Sequence, residues 1–321
     1  MHEPTYRPAI VHAWKLVWHH KTTWILGLLT VLLGQFGLSD FIGQLIAKFV
    51  SSDASWWPAS WGAIHIATPE QFFWFGWALF ILVAIGFFVV AATVCAQGAL
   101  IATAIHWYNV HTILPLRKAW RQGVKHFWRI LAINVLEKLL LAVVLALVVE
   151  LSSFFTLSSN AGLAALALIM GVGLFVAMAI SVIAVYALGY VMVEDRPVIE
   201  GVGLGWTLFH NHLMVSFELS ALVVLGNLIL LAAAYVGALI VLIPSFIISL
   251  VAGFSGLAGL FSVATVVYLF LVVVVVAVVA AVYTAFTTSA WIYLFMKMYH
   301  EGVKSRLFHW VRTVFQRSPR I

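Results

Sequence analysis

The stretch HAWKLVWHHKTTWILGLLTVLLG, beginning at His12, decides how the rest of the chain is read. A small residue and a tryptophan open it, a basic and histidine-rich step follows, and a long apolar run closes it. The same order returns in RKAWRQGVKHFWRILAINVL from Arg117, and more loosely in GLGWTLFHNHLMVSFELSALVVL from Gly203. Trp14, Trp120 and Trp206 mark the three copies. In the first, Ile10, Val11, Trp14, Val17 and Trp18 share one helical face, with His12, Lys15 and His19 opposite, the pattern of a helix lying at a membrane surface. Each copy then reads as an interfacial helix that opens a transmembrane hairpin.

Composition agrees. Of 321 residues, 64% are hydrophobic and 9% charged, against about 45–50% and roughly 25% in soluble domains. Apolar runs longer than 18 residues recur, so the fold class is an all-α polytopic transmembrane bundle. Alternating ten-residue strands of the β-barrel type are not visible. The single cysteine, Cys95, sits in an apolar run and excludes a disulfide framework or thiol metal site. A net charge of +6 points to anionic lipid headgroups rather than nucleic acid. Residues 1–21 are amphipathic, with no A-x-A-like site after the first apolar run, and are expected to be retained.

Taken in order, spans are expected at 22–39, 71–104, 130–151, 163–193, 213–243 and 261–297. They form three units, 8–104, 112–193 and 197–297, each opened by an interfacial helix, followed by an amphipathic tail at 298–321. Residues 40–70, with Trp56, Trp57 and Trp61, read as an outer loop in the headgroup belt. Proline disfavours helical conformation in its predecessor, so Glu194-Asp195-Arg196-Pro197 should stop one helix and Pro244 another. The glycine-studded stretch 245–260 then reads as a surface-lying or re-entrant piece. With six spans and both ends inside, fifteen of the seventeen lysines and arginines fall on the cytoplasmic side, leaving Lys48 outside and Lys138 within a span.

Three motifs carry a family likeness: A-W-x-x-x-W-x-H-K-x-x-W-x-L-G from Ala13 to Gly27 (with a second histidine, His19, before His20), C-A-Q-G-A-L-I from Cys95 to Ile101, and K-A-W-x-x-x-x-x-x-F-W from Lys118 to Trp128. They resemble the glycerophosphoryl diester phosphodiesterase membrane-domain family and related bacterial multispanning inner-membrane proteins. The resemblance implies a six-helix architecture and a bacterial plasma-membrane location. It implies no activity, because the catalytic residues of the fused phosphodiesterase barrel have no position here to map onto.

Candidate sites follow from what a bilayer penalises. A charge at the bilayer centre costs roughly 2.5–3.5 kcal/mol on insertion scales, so Glu137, Lys138 and Glu218 form a candidate intramembrane polar site. Neighbours on a helix point about 100° apart, so Lys138 is expected to pair with Glu218 rather than Glu137. A structural ion pair between hairpins is the more economical reading of these residues. Gln35, Gln97, Asn134 and Asn227 read as hydrogen-bonding glue between helices, each worth roughly 0.6 kcal/mol. Lys15, Arg117, Lys118, Arg121, Lys125, Arg306 and Arg312 are candidate contacts for anionic headgroups, with Trp14, Trp120, Trp206 and Trp310 as interfacial anchors.

The histidines do not have the i, i+4 spacing with an acidic partner that a metal helix needs, so no metal is expected. No cofactor fingerprint or catalytic constellation appears. The expected function is therefore non-enzymatic: a scaffold or factor in envelope or lipid homeostasis, partnered by membrane lipids and by another membrane protein. The alternative is a transporter or lipid-translocating protein with its polar site between hairpins 2 and 3. If Lys138 and Glu218 pair, Lys138→Glu and Glu218→Lys should each lower stability in thermal unfolding, and the double reversal should recover it; a double variant no better than the singles would sink the pairing.

Overall fold

The computed structural model describes residues 6–31, 69–154, 160–255 and 258–301. Within them the protein is all helical: α1 Tyr6–His19, α2 Thr22–Val31, α3 Pro69–Val110, α4 Leu116–Lys125, α5 Phe127–Ser153, α6 Asn160–Glu194, α7 Val198–Asn211, α8 Leu213–Ser255 and α9 Ala258–Glu301. Among the described residues five stretches are long and apolar enough to cross a membrane: Phe72–Val110, Phe127–Ser153, Asn160–Glu194, Ala232–Ala252 and Phe261–His300. The chain has the build of a multi-pass membrane protein. α2 is apolar but has only ten described residues. Gln35, the loop at 40–68 and the tail from 302, with Arg306, Trp310 and Arg312, lie outside the described residues.

One boundary differs from the sequence reading. Pro244 does not end its helix: α8 runs through it to Ser255, and α9 begins at Ala258. Residues 245–255 are therefore neither surface-lying nor re-entrant; they extend one long helix. Proline removes a single backbone bond, and neighbouring groups can compensate for it in lipid. The carbonyl it frees is that of Ile240, four residues back, and the helix continues past it. At 43 and 44 residues, α8 and α9 are each about 65 Å long, twice a hydrocarbon core.

Helix ends carry their own chemistry. α3 and α6 each stop on a left-handed residue, His111 (φ 57°) and Asp195 (φ 58°), the cap position where Gly or Asn is commonest. Pro115 and Pro197 then start α4 and α7, where a missing N–H costs nothing. The expected stop at Asp195-Arg196-Pro197 coincides with the end of α6.

The three short helices are seated in a way the repeat alone does not convey. Each leads covalently into the next long helix, yet α4 packs on α3 and α7 on α6, the long helices before them, while α1 packs on α9. The residue before each marker tryptophan is the buried one: Ala13, Ala119 and Gly205. A side chain on Gly205 would meet the Ile183 carbonyl and the Ala187 nitrogen, and one on Gly123 would collide with the Cys95 carbonyl. Small residues let these backbones touch. In α1 the buried stripe is Ala9, Ala13, Leu16 and Val17, while Trp14 and Trp18 stack on each other at 5.2 Å outside it. The tryptophan face, expected to anchor the helix at the interface, stays largely exposed, with Trp14 edge-on to Phe286 at 6.3 Å.

Packing is densest in the half of the bundle that carries the basic residues. There α3 buries 93–104, α6 buries most of 177–191, and α9 buries most of 284–298. Tyr186 is fully enclosed and its hydroxyl meets Ser216 Oγ at 2.8 Å, tying α6 to α8; its ring stands 6.1 Å from Trp291 and 6.3 Å from Phe295 of α9. In the other half the hairpins separate. α8 packs with α9 and α5 with α6, whereas residues 72–90 of α3 are exposed on every face.

Because Gly123 seats α4 over Cys95, Gly123→Val should cost about 1–3 kcal/mol through overpacking and uncover the thiol. Maleimide labelling of Cys95, which is buried, should accelerate well above wild type. Unchanged labelling would mean that α4 tolerates the side chain without lifting.

Candidate functional site: the basic collar

The helices α1, α4 and α7 form a collar around the packed end, and each turns into the next helix at a histidine. His20, His126 and His212 stand six residues after Trp14, Trp120 and Trp206. Their backbone N–H groups donate to the carbonyls of Leu16, Gln122 and Leu208 at 3.2, 3.2 and 3.1 Å. Three equivalent elbows thus close the last turn of each short helix before the chain changes direction.

Charge gathers at one point of the collar. Lys125 Nζ lies 3.0 Å from Asp195 Oδ2, and His126 Nε2 lies 3.2 Å from Asp195 Oδ1. Arg129 bonds both the carboxylate and, at 2.8 Å, the backbone carbonyl of Asp195. Hydrogen bonds from Lys125 and Arg129 hold the Asp195 carboxyl down at about 2. Arg196 bonds Glu194 at 2.9 Å and Glu200 at 3.4 Å. The left-handed turn that ends α6 is therefore latched to the elbow between α4 and α5. Sequence reading treated Asp195 only as part of a helix stop. Its signal was available: it is an acid in a turn, facing a loop whose other charges are all positive.

One face of α4 carries Lys118 and Arg121, outside the latch, beside the latched Lys125. Lys118, Arg121, Gln122 and Lys125 recur at i, i+3, i+4 and i+7 and so share a side, opposite the buried Ala119 and Gly123. With Leu114 they line an open groove of about 360 Å³. Arg117, on another face, and Lys15 are exposed. Of the expected headgroup contacts, the fold brings Lys118, Arg121 and Lys125 together and leaves Lys15 and Arg117 apart from them. Among the anchors, Trp14 and Trp206 are exposed and Trp120 is half-buried.

A second cluster joins α1, α3 and α9. The His12 ring lies 4.7 Å from Tyr293, 5.9 Å from His111, 6.0 Å from Trp107 and 6.2 Å from Tyr108, centroid to centroid. His20 stands edge-on to Trp107 at 5.2 Å. His12 Nε2 and Trp107 Nε1 are both buried without a hydrogen-bond partner. Burial, His111 and Lys15 together push the His12 imidazole down to about 4, because each disfavours the cation.

The intramembrane candidates fall within the bundle. Glu137 is only 4% exposed on the inner face of α5, Lys138 and Glu218 are part-buried, and all three have interaction partners. The glue residues behave as expected where described: Asn134 Nδ2 donates to Gln97 Oε1 at 2.7 Å and to the Ile130 carbonyl at 2.8 Å, joining α5 to α3. Among the described residues no three His, Cys, Asp or Glu side chains gather as metal ligands.

No protein-family model, curated protein or solved structure matches this chain. The likeness to the phosphodiesterase membrane-domain family rests on the quoted motifs alone.

Since His12 is held below its ordinary value of 6.5 in the docked helix, the undocked helix binds the proton more readily. Docking of α1 is then at full strength above pH 6.5 and weakens as pH falls toward 4. Hydrogen exchange over residues 6–19, corrected for the intrinsic rate, should lose protection between pH 7 and pH 5 in wild type but not in His12→Phe. Equal pH response in both would show that another group governs docking.

Proposed function

We propose that this chain is a non-enzymatic scaffold of the bacterial plasma membrane, a factor in envelope or lipid homeostasis. Both termini face the cytoplasm, the collar rests on anionic headgroups and the bundle receives another membrane protein. The observation that carries the reading is the outer half of α3. Residues 72–90 are exposed all round, and Phe72, Phe73, Trp74, Phe75, Trp77 and Phe80 crowd its first turns. Gly76 and Gly86 have nothing within 4 Å of where a side chain would start. In membrane helices, glycine is favoured where a second helix backbone comes close, and exposed glycine otherwise costs about 1 kcal/mol of helix propensity. A transmembrane helix of a partner fits that face.

The transporter reading draws on Glu137, a carboxyl group in the bundle interior. The hydrogen-bonded Gln97–Asn134 and Tyr186–Ser216 pairs around it favour a bundle held together over one that opens. A photoreactive residue at Val83, activated in living cells, should give one discrete adduct with a membrane protein, reduced by Gly76→Leu and Gly86→Leu at unchanged expression. Adducts with lipid alone would overturn the scaffold reading.

A further inference from the structure

The groove on α4 has properties that membrane anchoring by scattered charge does not require. Its lining contains no carboxylate: Leu114, Lys118, Arg121, Gln122 and Lys125. The packing of Ala119 and Gly123 against α3 fixes which side of α4 faces out, so these side chains are presented to one spot by the fold. Lys125 is oriented at the back by Asp195 at 3.0 Å. Among the described residues Lys118 and Arg121 have no ion-pair partner. A planar guanidinium beside an ammonium suits a tetrahedral oxyanion, which the fork grips through two oxygens while the lysine neutralises the third. The volume, about 360 Å³, falls in the range of small-ligand sites.

We infer that this groove binds the phosphate of an anionic phospholipid, with Lys118 and Arg121 as its ligands, Gln122 as a hydrogen-bonding flank and Leu114 toward the glycerol and acyl end. The proposal commits to a lipid because Leu114 lines the groove beside the cations and α4 lies in sequence between two helices long and apolar enough to cross a membrane, the position of a headgroup belt. It rests on the reading that the collar lies in the headgroup layer, and on no partner protein.

The test uses the full chain in nanodiscs of phosphatidylcholine with one fifth phosphatidylglycerol, with native mass spectrometry counting the phosphatidylglycerol retained per protein. Wild type should retain it in preference to phosphatidylcholine. Near a membrane surface each basic residue is worth about fivefold in affinity, so Lys15→Gln with Arg117→Gln, which removes two charges outside the groove, should lose at most roughly thirtyfold. Lys118→Gln with Arg121→Gln removes the same charge together with the ligation and should lose several-fold more. Lys118→Arg should bind as wild type, which separates ligation from a folding defect. Equal losses in the two double variants would overturn the site, while leaving the collar's general attraction to anionic membranes intact. Displacement of the lipid by millimolar glycerol phosphate would overturn the lipid assignment in favour of a soluble phosphate ester. No preference for phosphatidylglycerol in wild type would overturn both, and the cross-link at Val83 would still report on the scaffold.

Discussion

Everything at the packed end depends on one contact type: a short helix pressed backbone to backbone on the end of a long one. Ala13, Ala119 and Gly205 lie in the three seats, and Gly123 tightens the second. In lipid the hydrophobic effect does not bring apolar helices together, so close van der Waals contact between small residues must supply the attraction. That contact also fixes rotation. Once Ala119 and Gly123 face α3, Lys118, Arg121 and Lys125 have one direction in which to point, and Asp195 finds Lys125, His126 and Arg129 within reach.

The collar therefore converts packing into electrostatics. Each elbow histidine has its N–H bonded four residues back, which lets the chain turn sharply without an unpaired donor at the interface. The acid latch then joins the α4–α5 elbow to the end of α6, so the second unit is closed on itself by charge. His12 plays an opposite part: it is held neutral in an aromatic setting beside Lys15 and His111, which makes α1 the member of the collar most responsive to protons.

How much of this was legible beforehand depends on which property each residue contributed. Hydropathy reported the long helices directly, and the three Trp-marked stretches reported the short ones. Proline misled at Pro244, because it removes one backbone bond without forbidding the helix, and in membrane helices neighbouring groups and local adjustments can satisfy the freed carbonyl. In α1 the tryptophans read as interfacial anchors, and the pattern did not mark their neighbours Ala9 and Ala13 as the residues that pack. The seats of the short helices, α4 and α7 on the long helix before them and α1 on α9, leave no trace in periodicity, since each is a choice among equally apolar neighbours. Asp195 was visible as a residue and invisible as a convergence point, because three of its partners lie about 70 positions away.

The seating order has a consequence for how the chain is made. α4 follows α3 and α7 follows α6 in synthesis, so each finds its seat already in place when it emerges. α1 is made before any of them, yet its seat is on α9, the last described helix. Until α9 has been made the alanine stripe of α1 has no seat, so among the described short helices the earliest made is the last that can be locked.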